Sequence, residues 1–252
     1  WNITANYAEN DEEIISLYGD LDDAGNQIND VASRLFIGQP INIIYQYVFD
    51  GIWQTNDDIA NSHMPDASPG DIRIRDISGP EGIPDGEITD DDRTYFKRNP
   101  DWFGSISSKI NYKNFGLLFD IYITKGSFKS NPYLADFNSG GTLSGKRNGI
   151  KVNYWTPENP SNDFPRPSTL TPEYLYSLAV QDASFVKLRT LRFNYNFPNN
   201  LIKSKNINNM SLYLTGTNLL TVTDYKSYNP EVNPGQYPDG REFTIGFKFE
   251  IY

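Results

Sequence analysis

Over the last stretch of the chain, REFTIGFKFEIY, an apolar residue falls on every second position: Phe243, Ile245, Phe247, Phe249 and Ile251, with Thr244, Gly246, Lys248 and Glu250 between them. A period of two places these sets on opposite faces of a β-strand. One side is therefore apolar over five positions, and the charges on the other keep it wet. A helix cannot satisfy this pattern, and the apolar side needs a second layer or a lipid to face. Tyr252 falls out of phase and is expected just beyond the lipid-facing register.

The alternation recurs along the chain. Trp1, Ile3, Ala5 and Tyr7 form one candidate strand, and Ile41, Ile43, Tyr45, Tyr47 and Phe49 a second. Trp102, Ile106, Ile110 and Tyr112 belong to a third, and Phe115, Leu117, Phe119, Ile121 and Ile123 to a fourth. Only Lys113 and Asn114 separate these two, which predicts a tight hairpin. A fifth changes phase between Leu188 and Leu191, which a β-bulge near Thr190 or a strand rising past the membrane into a polar rim would explain. Met210, Leu212 and Leu214 mark the sixth, and the C-terminal segment is the seventh.

Composition fits strands better than a large dry core. Aromatic residues make up 14% of the 252 residues, the hydrophobic total is only 38%, and the mean hydropathy is −0.57. No run approaches the roughly 18 apolar residues that a membrane-spanning helix needs. A transmembrane β-barrel remains compatible, because lipid-facing and lumen-facing residues alternate and dilute the hydropathy. The net charge of −10 argues against nucleic acid as a partner. Cys is absent and His63 is the only histidine, which removes disulfides, thiolate chemistry and His-cluster metal sites.

Long connections alternate with short ones. The regions Asp50–Asp101, Gly126–Ala183 and Thr221–Arg241 are rich in Pro, Gly, Asn and Asp and are predicted at one end of the strands. Outer-membrane barrels combine long external loops with short periplasmic turns. The Asn10–Leu35 connection departs from this alternation and reads as a decorated turn. The chain starts in mid-strand at Trp1, so it is expected to be a piece of a longer protein.

The acidic stretch DIRIRDISGPEGIPDGEITDDDR, Asp71 to Arg93, carries the residue types of a calcium loop, which needs oxygen ligands at alternate positions, a glycine at a sharp turn and a terminal carboxylate. Asp76 and Ser78 take the first two ligand places, Asp85 the third before Gly86, and Asp92 the last. Glu87 offers its backbone carbonyl and Thr89 lies between. Five residues from Pro80 to Pro84 interrupt the spacing, and a solvated acidic loop is the competing reading. No catalytic motif occurs, and the chain is read as a non-enzyme. Trp53, Tyr154, Trp155, Tyr174 and Tyr176 are candidates for stacking on sugar rings or peptide side chains, against the commoner role of loop anchors.

Several segments together resemble the C-terminal part of the SusC/RagA-type TonB-dependent outer-membrane transporters of Bacteroidetes. They are Gly38–Gln54, Ser68–Gly79 with Asp85–Arg93, Asn99–Tyr122, Tyr154–Ser168, Asp182–Pro198, Met210–Val232 and the last strand, in the family's order. The acidic loop departs from the family's pattern in its five-residue insertion and in Ser78, where an Asn is usual. The resemblance implies an all-β fold, the last seven or so antiparallel strands of a barrel of the roughly 22-stranded plugged class. It implies an outer-membrane location and TonB-driven import of oligosaccharides or peptides with a SusD-like surface lipoprotein. The plug domain, the TonB-contacting part and the earlier strands would lie outside residues 1–252, on another chain or segment. Asp120, Tyr122, Arg192, Asn194, Lys248 and Glu250 are the lumen-facing candidates; the substrate-binding residues are unknown. The alternative is a soluble, calcium-stabilised β-sandwich that binds carbohydrate, with a second sheet against Phe243, Ile245, Phe247, Phe249 and Ile251.

Overall fold

The computed structural model describes residues 1–251 apart from 20, 80, 132–133, 136–152, 169–170, 203–206 and 235. The expectation for Tyr252 thus lies outside the described residues. The chain divides into two compact units, one comprising Trp1–Asp11, Asn99–Ser127 and Asp182–Tyr252, the other Glu12–Arg98 and Phe128–Gln181. In chain order the strands are β1 (Asn2–Glu9), β2 (Ile43–Tyr47), β3 (Phe49–Ile52), β4 (Ile72–Ile74), β5 (Arg93–Lys97), β6 (Trp102–Tyr112), β7 (Phe115–Lys125), β8 (Phe128–Ser130), β9 (Val180–Asp182), β10 (Phe185–Asn196), β11 (Ile207–Thr223) and β12 (Glu242–Ile251).

The first unit is one antiparallel six-stranded sheet in the order β1-β6-β7-β10-β11-β12. β6 and β7 have 11 residues each, β10 has 12, β11 17 and β12 10. A strand that crosses a bilayer needs about 9–11. The register carries the sequence alternation across all six strands. Ile110, Leu117, Phe193, Leu214 and Ile245 stand side by side in one row, and Tyr112, Phe115, Tyr195, Leu212 and Phe247 in the next. This apolar face is uncovered: Phe243, Ile245, Phe247, Phe249 and Ile251 are 56–74% exposed. The β-sandwich alternative fails on this point, since among the described residues the other sheets have only two strands each.

The bulge expected near Thr190 is present. Leu188 pairs with Ile121 while Thr190 pairs with Asp120, so Arg189 is the extra residue relative to β7. That inserted residue explains the phase slip: Val186 and Leu188 before it, and Leu191 and Phe193 after it, share the apolar face. The Lys113–Asn114 hairpin also forms, with Lys113 at φ 53°.

One predicted strand belongs elsewhere. β1 pairs directly with β6, from Asn2↔Lys109 to Glu9↔Trp102, so the sheet has no place for a strand between them. The Ile41–Phe49 segment instead supplies β2, five residues long, which pairs with β5 in the second unit. At about 3.3 Å per residue such a strand is too short to cross a bilayer. The sheet therefore contains six of the seven expected strands, and the anomaly of Asn10–Leu35 disappears: it is the first part of one excursion from β1 to β6. Glu9↔Trp102, Trp102↔Lys125, Phe185↔Thr124 and Phe185↔Thr223 place every long connection at one end of the sheet. The Lys113–Asn114 turn and the β10–β11 connection lie at the other.

The second unit is built on a buried cluster of Ile52, Ile72, Ile74, Trp155, Leu175 and Leu178, with Tyr47, Phe49, Met64, Ile88 and Tyr174 packed against it. Segments about a hundred residues apart meet there. The Trp155 indole N–H donates to Gln54 Oε1 (2.9 Å), and Asn162 Oδ1 accepts from the Ile52 N–H (3.1 Å). Gly70 marks the crossing: at φ 91° its Cα faces Trp155 and Arg166 so closely that a Cβ would lie 2.5 Å from the indole. Any side chain there is strained by both backbone and space. Arg166 then pairs with Asp71 at 2.9 Å, while Arg73 and Arg75 both reach Asp50 at 3.1 and 3.0 Å.

Candidate functional site

Two places carry functional chemistry, one in each unit. In the sheet, the face opposite the apolar one is mostly polar, with Leu118, Phe103 and Phe185 among its apolar members. Thr4, Ser107 and Asp120 share one row, and the Ser107 hydroxyl donates to Asp120 Oδ1 at 2.5 Å. Lys109, Leu118, Arg192, Thr215 and Thr244 share another, and Asn111, Gly116, Asn194, Tyr213 and Gly246 a third. Asp120, Tyr122, Arg192, Asn194 and Lys248 thus all face the same way, as the alternation predicts, and Glu250 follows in phase.

Glycine shapes this face. With no side chain at Gly116, a depression of about 370 Å³ opens beside Lys109 and Arg192, edged by the amides of Asn111, Asn194 and Asn196. At Gly246 the Tyr213 ring lies over the bare Cα, where a Cβ would come within 2.5 Å of Tyr213 Cζ. The Arg192 guanidinium sits 4.2 Å from the centroid of that ring, a cation–π contact. The face is mildly cationic around Arg192 and Lys109.

In the second unit the acidic loop is ordered by its own carboxylates. Asp92 is fully buried and accepts three main-chain hydrogen bonds: Oδ1 from the N–H groups of Ile77 (2.9 Å) and Ser78 (3.2 Å), Oδ2 from that of Thr89 (2.8 Å). Thr89 caps the short 3-10 helix Asp90–Asp92, its hydroxyl accepting from the Asp91 N–H, so Thr89 and Asp92 form a capping box. Asp76 Oδ2 accepts from the Gly86 N–H at 2.8 Å across ten residues. The insertion therefore loops out, closed by the Gly82 N–H on the Gly79 carbonyl (2.8 Å), and leaves the flanking ligand positions adjacent. Asp85 Oδ1 accepts from the Glu87 N–H (3.0 Å), and its carboxylate packs on Gly79. Asp76 Oδ1 is buried without a partner.

The loop's hydrogen bonds tie Asp76 to Gly86, Asp85 to Glu87 and Asp92 to Ser78, and Thr89 serves as a cap. The Glu87 side chain belongs instead to the wall of a neighbouring cavity of about 490 Å³, with His63, Ile88 and Tyr174. Among the described residues no three acidic or histidine side chains converge on one point. Burial, and then the neighbouring Glu173 carboxylate, push the Tyr174 hydroxyl up to about 12, so it stays protonated in that cavity.

The aromatic candidates divide by burial. Trp53 and Trp155 are each only 5% exposed and are core residues, so neither offers a face to a ligand, whereas Tyr154 and Tyr176 are exposed. His63 is an anchor, its Nε2–H donating to the Ile74 carbonyl at 2.7 Å. The residues that the alternation did not single out are Arg73, Arg75, Asp50 and Gln54, whose partners are distant in sequence. No local spacing announces them.

No family model matches the chain. Among curated proteins it is similar to TonB-dependent receptor P3 of Formosa agariphila, 28% identical over 279 aligned residues that cover 100% of this chain and 27% of that protein. TonB-dependent receptor P26 of the same organism is also 28% identical, with 98% of this chain and 26% of that protein covered. Among solved structures it superposes on the RagAB peptide importer in its open-open state with a TM-score of 0.69 and 26% identity, covering 98% of this chain and 26% of that one. The closed-closed state gives 0.69 and 25%, with 98% and 27% covered. The chain spans about a quarter of the length of the relatives it matches.

Proposed function

We propose, on the premise that this chain is kin along its whole length to TonB-dependent receptors, that it is barrel wall in an outer-membrane active transporter. The single observation that carries this reading is the two-faced sheet. Rows of exposed Ile, Leu and Phe lie on one side and rows of Asn, Thr, Lys and Arg on the other, over strands long enough to cross a bilayer. β1 and β12 each pair on one side only, and an open edge in hydrocarbon costs several kcal/mol per unsatisfied backbone group. Further strands therefore pair with these edges in the rest of the barrel, and the likeness to TonB-dependent receptors supports a plug and a TonB-contacting part there as well. Together they import oligosaccharides or peptides with a SusD-like surface lipoprotein, the polar face lining the path.

The isolated 252-residue chain tests the wall assignment. It is expected to aggregate in buffer without detergent, and the full-length protein to sediment with the outer membrane. A folded, monodisperse chain in detergent-free buffer overturns the reading. Import by the full-length protein is expected to stop when TonB is deleted; uptake that continues unchanged removes the energised mechanism.

Calcium is part of the same proposal, on a separate observation: the unpartnered, buried Asp76 Oδ1 stands where a cation would replace the missing donor. Asp76, Ser78 and Asp85, the Glu87 carbonyl, Thr89 and Asp92 are the ligand positions. Asp92 contributes the acceptor capacity left after its three hydrogen bonds. Calcorimetric titration with CaCl2 is expected to show one site that Asp76→Ala abolishes. A wild-type protein that takes up no calcium, while its loop amides stay protected, identifies the loop as self-sufficient.

A further inference from the structure

The connection between β11 and β12, described over residues 224–234 and 236–241, lies back on the polar face of its own sheet at Glu231 and Asp239, where a charged cluster holds it. Lys187, on β10, is only 3% exposed. Its ammonium donates to Glu231 Oε2 and, at 3.2 Å, to Asp239 Oδ2. Arg189, two residues along the same strand, reaches the other oxygen of Glu231 at 2.7 Å, and its guanidinium stands 3.6 Å over the Tyr122 ring on β7. Asn229 joins the two acids: its amide donates to Asp239 Oδ2 (3.2 Å) and its carbonyl oxygen accepts from the Glu231 N–H (2.9 Å). Two cations of the sheet thus meet two carboxylates of the connection, and the cluster is neutral only while both sides are in contact.

We propose that residues 224–241 form a strap with an ionic latch, which opens and closes as a unit over the strip of wall around Tyr122, Lys187 and Arg189. The physical ground is the difference in what the two parts need. The sheet is held by continuous ladders on both sides of β10 and β11. The strap also has hydrogen bonds of its own, such as those at Gly240 and Tyr225, and buries Tyr225 and Pro230. Breaking a buried ion pair by removing one partner is far costlier than losing an exposed one, because the other charge is left without water or counter-charge. Lys187 is buried and Glu231 nearly so, whereas Arg189 and Asp239 are about half exposed, so the latch energy is concentrated in the Lys187–Glu231 pair, and its loss frees the strap while the ladders remain. In the barrel-wall reading this strip lines the lumen, so the open strap widens the path and leaves two bare cations to meet a solute that carries a carboxylate. The latch itself depends only on the sheet and its connection, and its test does not require that reading.

Hydrogen–deuterium exchange on the full-length protein in detergent decides it, comparing wild type with Glu231→Gln and Lys187→Met. Amides of residues 225–240 are expected to exchange on the order of a hundredfold faster in either variant, with those of β10, β11 and β12 unchanged. Unchanged strap exchange in both variants, or equal acceleration of strap and strands, overturns the latch. Where a variant does not fold, wild-type protein still decides: a strap opening at lower free energy than the sheet supports the proposal, and a strap that exchanges only with global unfolding overturns it.

Discussion

Ile245→Arg is expected to cost about 2–4 kcal/mol in a bilayer, and Thr244→Arg, one residue earlier, a fraction of that. The two positions differ only in the face they present. Ile245 pairs with Leu214 in an apolar row that runs on through Phe193 to Leu117, while Thr244 pairs with Thr215 in the polar row of Arg192 and Lys109. Arginine near the midplane of a lipid-facing strand carries that penalty, and a lumen position does not. Refolding of the full-length protein into bilayers, with the folded fraction read as a function of urea, measures both. The comparison discriminates because Ile245 is 70% exposed in the chain itself. In water, a substitution at so exposed a position falls within about 0.5 kcal/mol. Equal stability of the two variants would assign the apolar rows to something other than lipid.

Asp92→Ala is expected to destabilise the second unit by about 4 kcal/mol. The carboxylate is fully buried and receives the N–H groups of Ile77, Ser78 and Thr89. Hydrogen bonds to a charged acceptor contribute about 1.5–3 kcal/mol each, with imperfect additivity, and here all three donors lose their acceptor at once. Asp92→Asn keeps one oxygen and is expected to cost about half as much. Exchange of these three amides, beside thermal unfolding of the whole protein, is the measurement. Protection that survives in the alanine variant shows that water or backbone replaces the carboxylate and removes the claim that Asp92 organises the loop.

Asp92 also shows why the acidic loop was only partly legible. The spacing from Asp76 to Asp92 marks oxygen ligands, and in the structure the carboxylates of Asp76, Asp85 and Asp92 accept from the main-chain N–H groups of Gly86, Glu87 and Ser78. What the spacing does not reveal is the competition for those oxygens. Asp92 spends most of its acceptor capacity on main-chain donors that the fold brings to it, so its role is first to organise the loop. The insertion has the same lesson: in sequence it breaks the ligand pattern, yet in space it closes on itself at Gly79 and Gly82. Of the aromatic candidates, Trp53 and Trp155 take the commoner anchoring role, since both rings are core.

By itself the sequence determined the long strands, their two faces and the phase slip near Thr190, because alternation is a local property: Cβ directions reverse at each residue whatever the strand pairs with. Phe243, Ile245, Phe247, Phe249 and Ile251 had to share a face, while the register shows that an extra residue absorbs the slip between Leu188 and Leu191. Only the tertiary structure decided which sheet each strand joined. Ile43–Tyr47 alternates as well as any barrel strand, but its ladder runs to Arg93–Lys97, some fifty residues on, and β1 closes directly on β6. Pairing depends on main-chain groups that are identical in every residue, so partner choice comes from contacts between distant segments, such as Trp155 with Gln54. The same holds for Lys187, an ordinary strand lysine until Glu231 and Asp239 come back to bury it.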